Sequence, residues 1–516
     1  MTYLGTAIAQ RQQVITPVSN SETIPPAVLG WNRRDPLFEM NPGFATILDN
    51  YFPQPNFVEL RNGHTEHATG IGSGVVETLF AYNSGSTNKL LAFGNSAIYD
   101  ATSTGAVGAA LASGFTNNRW QTTNFATKGI FVNGDDAPQS YDGSTVSAAG
   151  FTGPTTVSDL IGVHPFKNRL LFVEKNTASF WYPANPLAVT GALTEFDLSG
   201  VAPSGGNLIA IDSLTIDGGS GVDDLVVFAM EKGIIIVYQG SDPGADFSLV
   251  GVFDICPPVG RRPFQKFGGD LVMISCDGYV PLSQYLRTAR AAQQIALSDN
   301  ISGEVSELLR TISGNFGWQI MHYPRGNWLL VNVPNVVGAQ SDQHVMNTIT
   351  KAWCRFKGMN AQCWEVFNGM PYFGGISGNV LEADTTRADN GTNIIGDAQT
   401  AFIYFGNRSQ LKHFKMVRPT ISSDSSLPVS VGLGTDFDSA VSLSTTASTT
   451  IAEGGAWDVG AWDVAAWAGG LRVINRWQSV STNEGYSAAV RIKTETSAQQ
   501  VRWFSTGVLY EMGGVL

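Results

Sequence analysis

A chain of 516 residues with 43% apolar and only 14% charged side chains has the composition of a folded protein of two to four domains. Its net charge of −12 argues against tight nucleic-acid binding, which relies on Lys and Arg to displace phosphate counterions. No apolar run approaches the ~20 residues of a spanning helix, so no membrane span is expected.

The first stretch, "MTYLGTAIAQRQQ", lacks the basic start and apolar run of a secretory leader. Residues 1–28 are polar and aperiodic, and an extended N-terminal arm is expected there, suited to ordering against a neighbour on assembly. Residues 29–70 are dense in Pro, Asn and aromatics and form an extended lead-in. Their one alternating piece, "FVELRNG", predicts a strand running into a turn.

From residue 71 to 397 a unit recurs: a short apolar strand, a Gly/Asn/Asp turn, and a second strand carrying an aromatic. It appears as "KLLAFGNSAIYDA", "GIFVNGDDAPQSYDG", "NRLLFVEKNTASFWYP" and "DLVVFAMEKGIIIVYQG". It returns as "DLVMISCDGYVPLSQY", "NWLLVNVP" and "MPYFGGISGNVLEAD". Starts are spaced by roughly 40 to 57 residues, the size of a four-stranded propeller blade. The spacing predicts a mainly β fold built on a β-propeller-like domain of six or seven blades, which leaves few free strand edges. A run of unrelated hairpins in two sandwiches is the competing reading.

Within that domain, "RTARAAQQIALSDNISGEVSELLRTI" (287–312) has helical spacing. It predicts a short helical insertion with Ser302 as a cap and Glu304, Glu307 and Arg310 facing outward. Residues 398–516 lose the blade unit but keep strand-like runs, among them "AFIYFG", "KHFKMVRPTI" and "QQVRWFSTGVLYEMGG", and predict a separate C-terminal β domain.

That domain carries "AWDVGAWDVAAWAGG", with Trp457, Trp462 and Trp467 at intervals of five. Five matches neither strand nor helix periodicity. An extended loop would space the indoles ~16 Å apart and set down successive anchors, so these three are the candidate subunit-interface residues. Burial under their own domain is the alternative.

Motifs of chemistry are missing. There is no phosphate loop, no H-E-x-x-H, no G-x-S-x-G and no sialidase-type box, and "GIGSGV" misses dinucleotide-binding spacing. In "HTEH", His64 and Glu66 share a strand face that His67 does not, so a polar hairpin end is expected rather than a metal site. "GGSGVDDL" matches a calcium-binding repeat, but such sites need stacked copies and it occurs once. The four cysteines, Cys256, Cys276, Cys354 and Cys363, show no C-x-x-C spacing, and buried free thiols of a protein made in the cytoplasm are expected. No catalytic residue, cofactor or metal follows from the sequence.

The segment "GWNRRDPLFEMNPGFATILDNYFPQPNFVELRNGHTEHATG" resembles the N-terminal region of tail nozzle (tail hub) proteins of short-tailed bacteriophages. The matching residues are Gly30, Asn32, Arg34, Asp35, Leu48, Asp49, Asn50, Phe52, Pro53, Arg61 and Gly63. The tryptophan stretch and the ending "VLYEMGGVL" are also similar to that family. The resemblance implies a non-enzymatic, propeller-containing virion protein, six copies around a channel between a portal–adaptor complex and the tail tip. It further implies a needle and fibres or spikes as neighbours, and DNA passing without specific binding. An acidic, charge-poor subunit agrees with it. A receptor- or carbohydrate-binding propeller of the tail and a cellular interaction platform are the competing readings.

Overall fold

The computed structural model describes residues 19–217, 222–285, 296–424, 427–438, 441–445 and 472–513. Nearly all regular structure is antiparallel β. Small sheets follow one another along the chain, and two large sheets gather segments from both ends.

The small sheets form a propeller. Their first strands are Val76–Asn83, Gln121–Phe125, Leu160–Phe166, Leu208–Asp217, Phe264–Phe267, Gln319–Tyr323 and Cys363–Phe367. Around the ring each blade packs on the next, and Cys363–Phe367 returns to Val76–Asn83. Six blades are independent sheets. The sheet starting at Gln319–Tyr323 instead runs on through Trp353–Phe356 into the ten-stranded sheet. The ring is closed by the strand His64–Thr69, which pairs antiparallel with Val380–Ala383 of the last blade. Gly374 lies at that seam, where a Cβ would sit 2.2 Å from the Val76 carbonyl oxygen.

The seven sequence units are the second and third strands of these blades, or the second alone in "NWLLVNVP". Their apolar runs are unbroken because both faces of each sheet are covered. Leu170 and Phe172 pack toward the preceding blade with Leu160, while Leu171 and Val173 pack toward the following one with Phe228. Val226 and Phe228 then face backward and Leu225 and Val227 forward. Period-two alternation is kept, but it sorts residues between two apolar interfaces rather than between core and water.

The ends of the chain depart from expectation. Residues 19–24 of the predicted arm form a strand, Ser19–Ile24, paired with Thr506–Glu511 of the same chain, and Ile24 and Ala27 are buried. The lead-in is not a separate piece either: Phe44–Asp49 pairs with Ile394–Thr400, and Val58–Leu60 pairs with Val501–Met512. The C-terminal strands are therefore not a separate domain. With the N-terminal strands they form a composite of a seven-stranded and a ten-stranded sheet that shares one apolar core with the last blades. Boundaries expected at 71 and 397 fall away, because the strand just before 71 closes the ring and the strand spanning 397 belongs to the composite. "AFIYFG" makes only an isolated bridge, Ile403 to Ala488.

The helical insertion is present as Ser302–Ile312, with Val305 and Leu309 buried one turn apart. Ser302 is its first residue and makes no capping bond. Glu307 and Arg310 face solvent, but Glu304 turns inward to Arg33 (3.4 Å) and Arg355 (3.3 Å). Cys256 and Cys276 form a disulfide, which corrects the expectation of four free thiols; Cys354 and Cys363 are free and buried.

Candidate functional site

Trp457, Trp462 and Trp467 lie outside the described residues. The other sequence candidates resolve into construction. His64–Thr69 is the ring-closing strand rather than a hairpin end. His64 Nδ1 lies 3.2 Å from Asp389, whereas His67 Nε2 bonds the Ala101 carbonyl at 3.0 Å, so the two imidazoles serve different places. Of the calcium-like stretch, Asp224 accepts from Thr215 Oγ1 at 2.8 Å, and residues 218–221 are outside the described set. Among the described residues, one cluster has metal-ligand spacing, Cys256, Cys276 and Asp277, and its sulfurs are already joined to each other.

The residues matched by the family resemblance knit the composite together. Asn32 Oδ1 accepts from the backbone N–H groups of Arg34 and Asp35 at 2.9 Å each, and Arg34 reaches Asp299 beside the helix. Asp49 binds Arg355 at 2.8 Å. Asn50 donates to the Ile395 carbonyl at 2.8 Å and accepts from Arg61 Nε at 2.8 Å. Arg61 is fully buried against Asp389 (2.6 Å) and also donates to the carbonyls of Asn62 and Lys357. Charge-assisted bonds to every face of one guanidinium fix the chain just ahead of the closing strand.

The concave feature of the propeller is its centre. A cavity of about 630 Å³ opens at one mouth, walled by Asn117, Arg119, Asp135, Arg261 and Phe316 among others. Beneath it a channel of about 250 Å³ is lined by residues from all seven first strands, including Thr78, Gln121, His164, Asp212, Gln265, Gln319 and Glu365. The inward residues of the first strands are polar here, where they border the central space instead of a neighbouring sheet.

Charges are arranged unequally around this axis. Glu77 holds Arg119 at 2.9 Å, and the Arg119 guanidinium lies 4.5 Å over the Phe316 ring. Arg262 reaches from the fifth blade to the seam of the first two, donating to Thr78 Oγ1 (2.8 Å) and the Trp120 carbonyl (2.9 Å). Arg261 donates to the Asn133 carbonyl at 3.2 Å. Burial lowers the pKa of both arginines and of His164, whose Nε2 is 3.7 Å from Asp212. Enclosure pushes Glu365 up to about 7, with its bond from the Val366 N–H and the nearby Arg262 pulling the other way. Sequence reasoning passed over this group. Its only trace was the arginine pair in "GRRPF", bounded by Pro just ahead of a first strand.

Strand order and ring closure define the class: a β-propeller joined to a composite of two β-sheets. No protein-family model matches the chain, and no curated protein does. Among solved structures, a crystal structure of BBS1N in complex with ARL6DN is similar at 10% identity and a TM-score of 0.39, covering 64% of this chain and 99% of that one. At that level the likeness adds nothing to the strand pairing, on which the propeller assignment rests.

Proposed function

We propose that this protein is a structural nozzle subunit of a short phage tail, a homohexamer that carries the genome channel between the portal–adaptor complex and the tail tip. The observation that carries this reading is the placement of the family-like residues. Asn32, Asp35, Asp49, Asn50 and Arg61 all sit in the joint between N-terminal strands, helix and C-terminal sheets. A motif spent on holding a composite together is what a structural family would retain. The disulfide suits a particle that works outside a reducing cytoplasm, in a virion tail assembled in the host. The net charge of −12 per subunit suits a conduit through which DNA slides without counterion release.

Electron microscopy of the assembled tail, viewed down its axis, tests this. Six-fold density of six 55.1 kDa chains is expected; three-fold density sinks the nozzle reading. Alanine at Trp457, Trp462 or Trp467 is expected to weaken ring assembly in at least one case. Loss of monomer melting temperature in all three with assembly intact refutes the interface role.

A further inference from the structure

We propose that the Cys256–Cys276 bond is a redox-sensitive latch on the fifth blade. Closed, it clamps residues 256–263 to that blade; opened by a dithiol, it lets the blade loosen while the rest of the ring stays folded. The inference does not depend on the nozzle reading and starts from what the bond holds. Among the described residues the fifth blade has three strands, Phe264–Phe267, Asp270–Ser275 and Gly278–Pro281, where the other independent blades have four or five. The chain enters it through "CPPVGRRP", in which Pro257, Pro258 and Pro263 bring no backbone N–H. Val259 donates to the Ile274 carbonyl at 3.0 Å, and the Pro257 and Pro263 carbonyls accept from Cys276 (3.2 Å) and Ile274 (2.9 Å). To a segment so poor in donors the disulfide adds a covalent tie.

What the tie holds in place is the bridge across the propeller. Arg262 reaches Thr78 and the Trp120 carbonyl, and Arg261 reaches the Asn133 carbonyl. Both arginines lie inside the loop that the disulfide closes over a separation of 20 residues. Joining the ends of such a loop removes closure entropy from its opened states, so losing the bond favours local opening of this blade. The bond is also within reach of a reagent. Cys256 is buried, but Cys276 is exposed, beside Asp277 in the turn between the second and third strands.

Opening is a two-electron exchange. A thiolate of the dithiol attacks Cys276 Sγ, and Cys256 leaves as a thiolate that takes up a proton. The second thiol then displaces Cys276, likewise protonated, as the reagent closes to its own disulfide. A reducing compartment therefore keeps the latch open, and an oxidising one closes it.

The test is hydrogen exchange on the full chain with and without dithiothreitol, while iodoacetamide counts the accessible thiols. The oxidised chain is expected to take no label, because Cys354 and Cys363 are buried, and the reduced chain to take it at Cys256 and Cys276. Reduction is expected to speed exchange in residues 256–281 about tenfold or more, with residues 160–197 of the third blade unchanged. Oxidised glutathione should restore the protection, and Cys276→Ser should reproduce the reduced state. Unchanged protection in the fully reduced chain overturns the proposal, as does a bond that dithiothreitol leaves intact. Lost protection throughout the ring, or a Cys276→Ser chain that does not fold, also overturns it, since the bond would then be a staple of the whole fold. None of these outcomes alters the symmetry on which the nozzle reading is judged.

Discussion

The blades between Gln121 and Asp254 and the composite sheets solve the same problem by opposite means. In the blades nearly every strand pairs with its neighbour in the chain, Phe151–Thr152 skipping ahead to Gly191–Asp197, and apolar clusters fill the interfaces between blades. In the composite, Leu48 lies opposite Ala398 and Val58 opposite Trp503, and buried polar side chains crowd the joins. Asn50, Arg61, Asn332, Gln343, His344, Asn347 and Thr494 are all at least nine-tenths buried, and Arg61, Gln343 and Asn347 each bond a carbonyl or side chain from another segment. Local pairing needs only patterning. Pairing across the whole chain must also choose the right partner, and a satisfied polar contact rejects wrong registers that an apolar one tolerates.

The largest expected effect follows from that difference. Arg61→Ala leaves Asp389 buried without its cation and frees the chain ahead of the closing strand, so a loss of about 3–5 kcal/mol is expected in denaturant unfolding. A loss below about 1 kcal/mol would mean the composite is held by apolar burial like the blades. Phe228→Ala probes the other side of the comparison. Its ring is fully buried and stacked 4.8 Å from Phe180, and truncation is expected to cost about 3–4 kcal/mol. Its effect should centre on the third and fourth blades in hydrogen exchange; equal loss of protection in the composite would show that the two regions unfold as one.

A smaller effect distinguishes the propeller axis from both. Glu365 has a folded pKa of about 7 against an ordinary value of 4.5, so its contribution to stability is complete below about pH 4.5 and lost as pH rises through 7. Glu365→Gln is expected to remove about 2 kcal/mol of that decline between pH 5 and 8. A variant with the parent's slope would place the titration elsewhere.

Much of the propeller was legible because each blade writes itself in a continuous stretch: "RLLFV" and "LVVFAM" announce strands covered on both faces, and the turns between them carry Gly, Asn or Asp. The composite was not. Nothing local in "SNSETI" says that it will pair with the last strand, and its polar residues read as an arm. "AFIYFG" has a strand's composition without a ladder to join. The Cys256–Cys276 bond was hidden because the two residues meet through blade geometry rather than through a motif. The central arginines escaped for a related reason: Arg261 and Arg262 acquire meaning only once seven strands bring Gln121, His164 and Glu365 around them.

The strand that shuts the ring, His64–Thr69, precedes its partner, Val380–Ala383, by about 300 residues. At ~5–20 residues per second, a ribosome takes roughly 15–60 s to cover that distance. Throughout that interval the early strand has only a two-residue parallel partner, Gly105–Ala106, on one side and nothing on the edge that Val380–Ala383 will fill, while the blades behind it can already stack on one another as they emerge. The first-made piece of the propeller is thus the last to be seated. The chain must carry an unmatched β-edge through most of its own synthesis, and the polar text of "HTEHAT" is well suited to waiting in water.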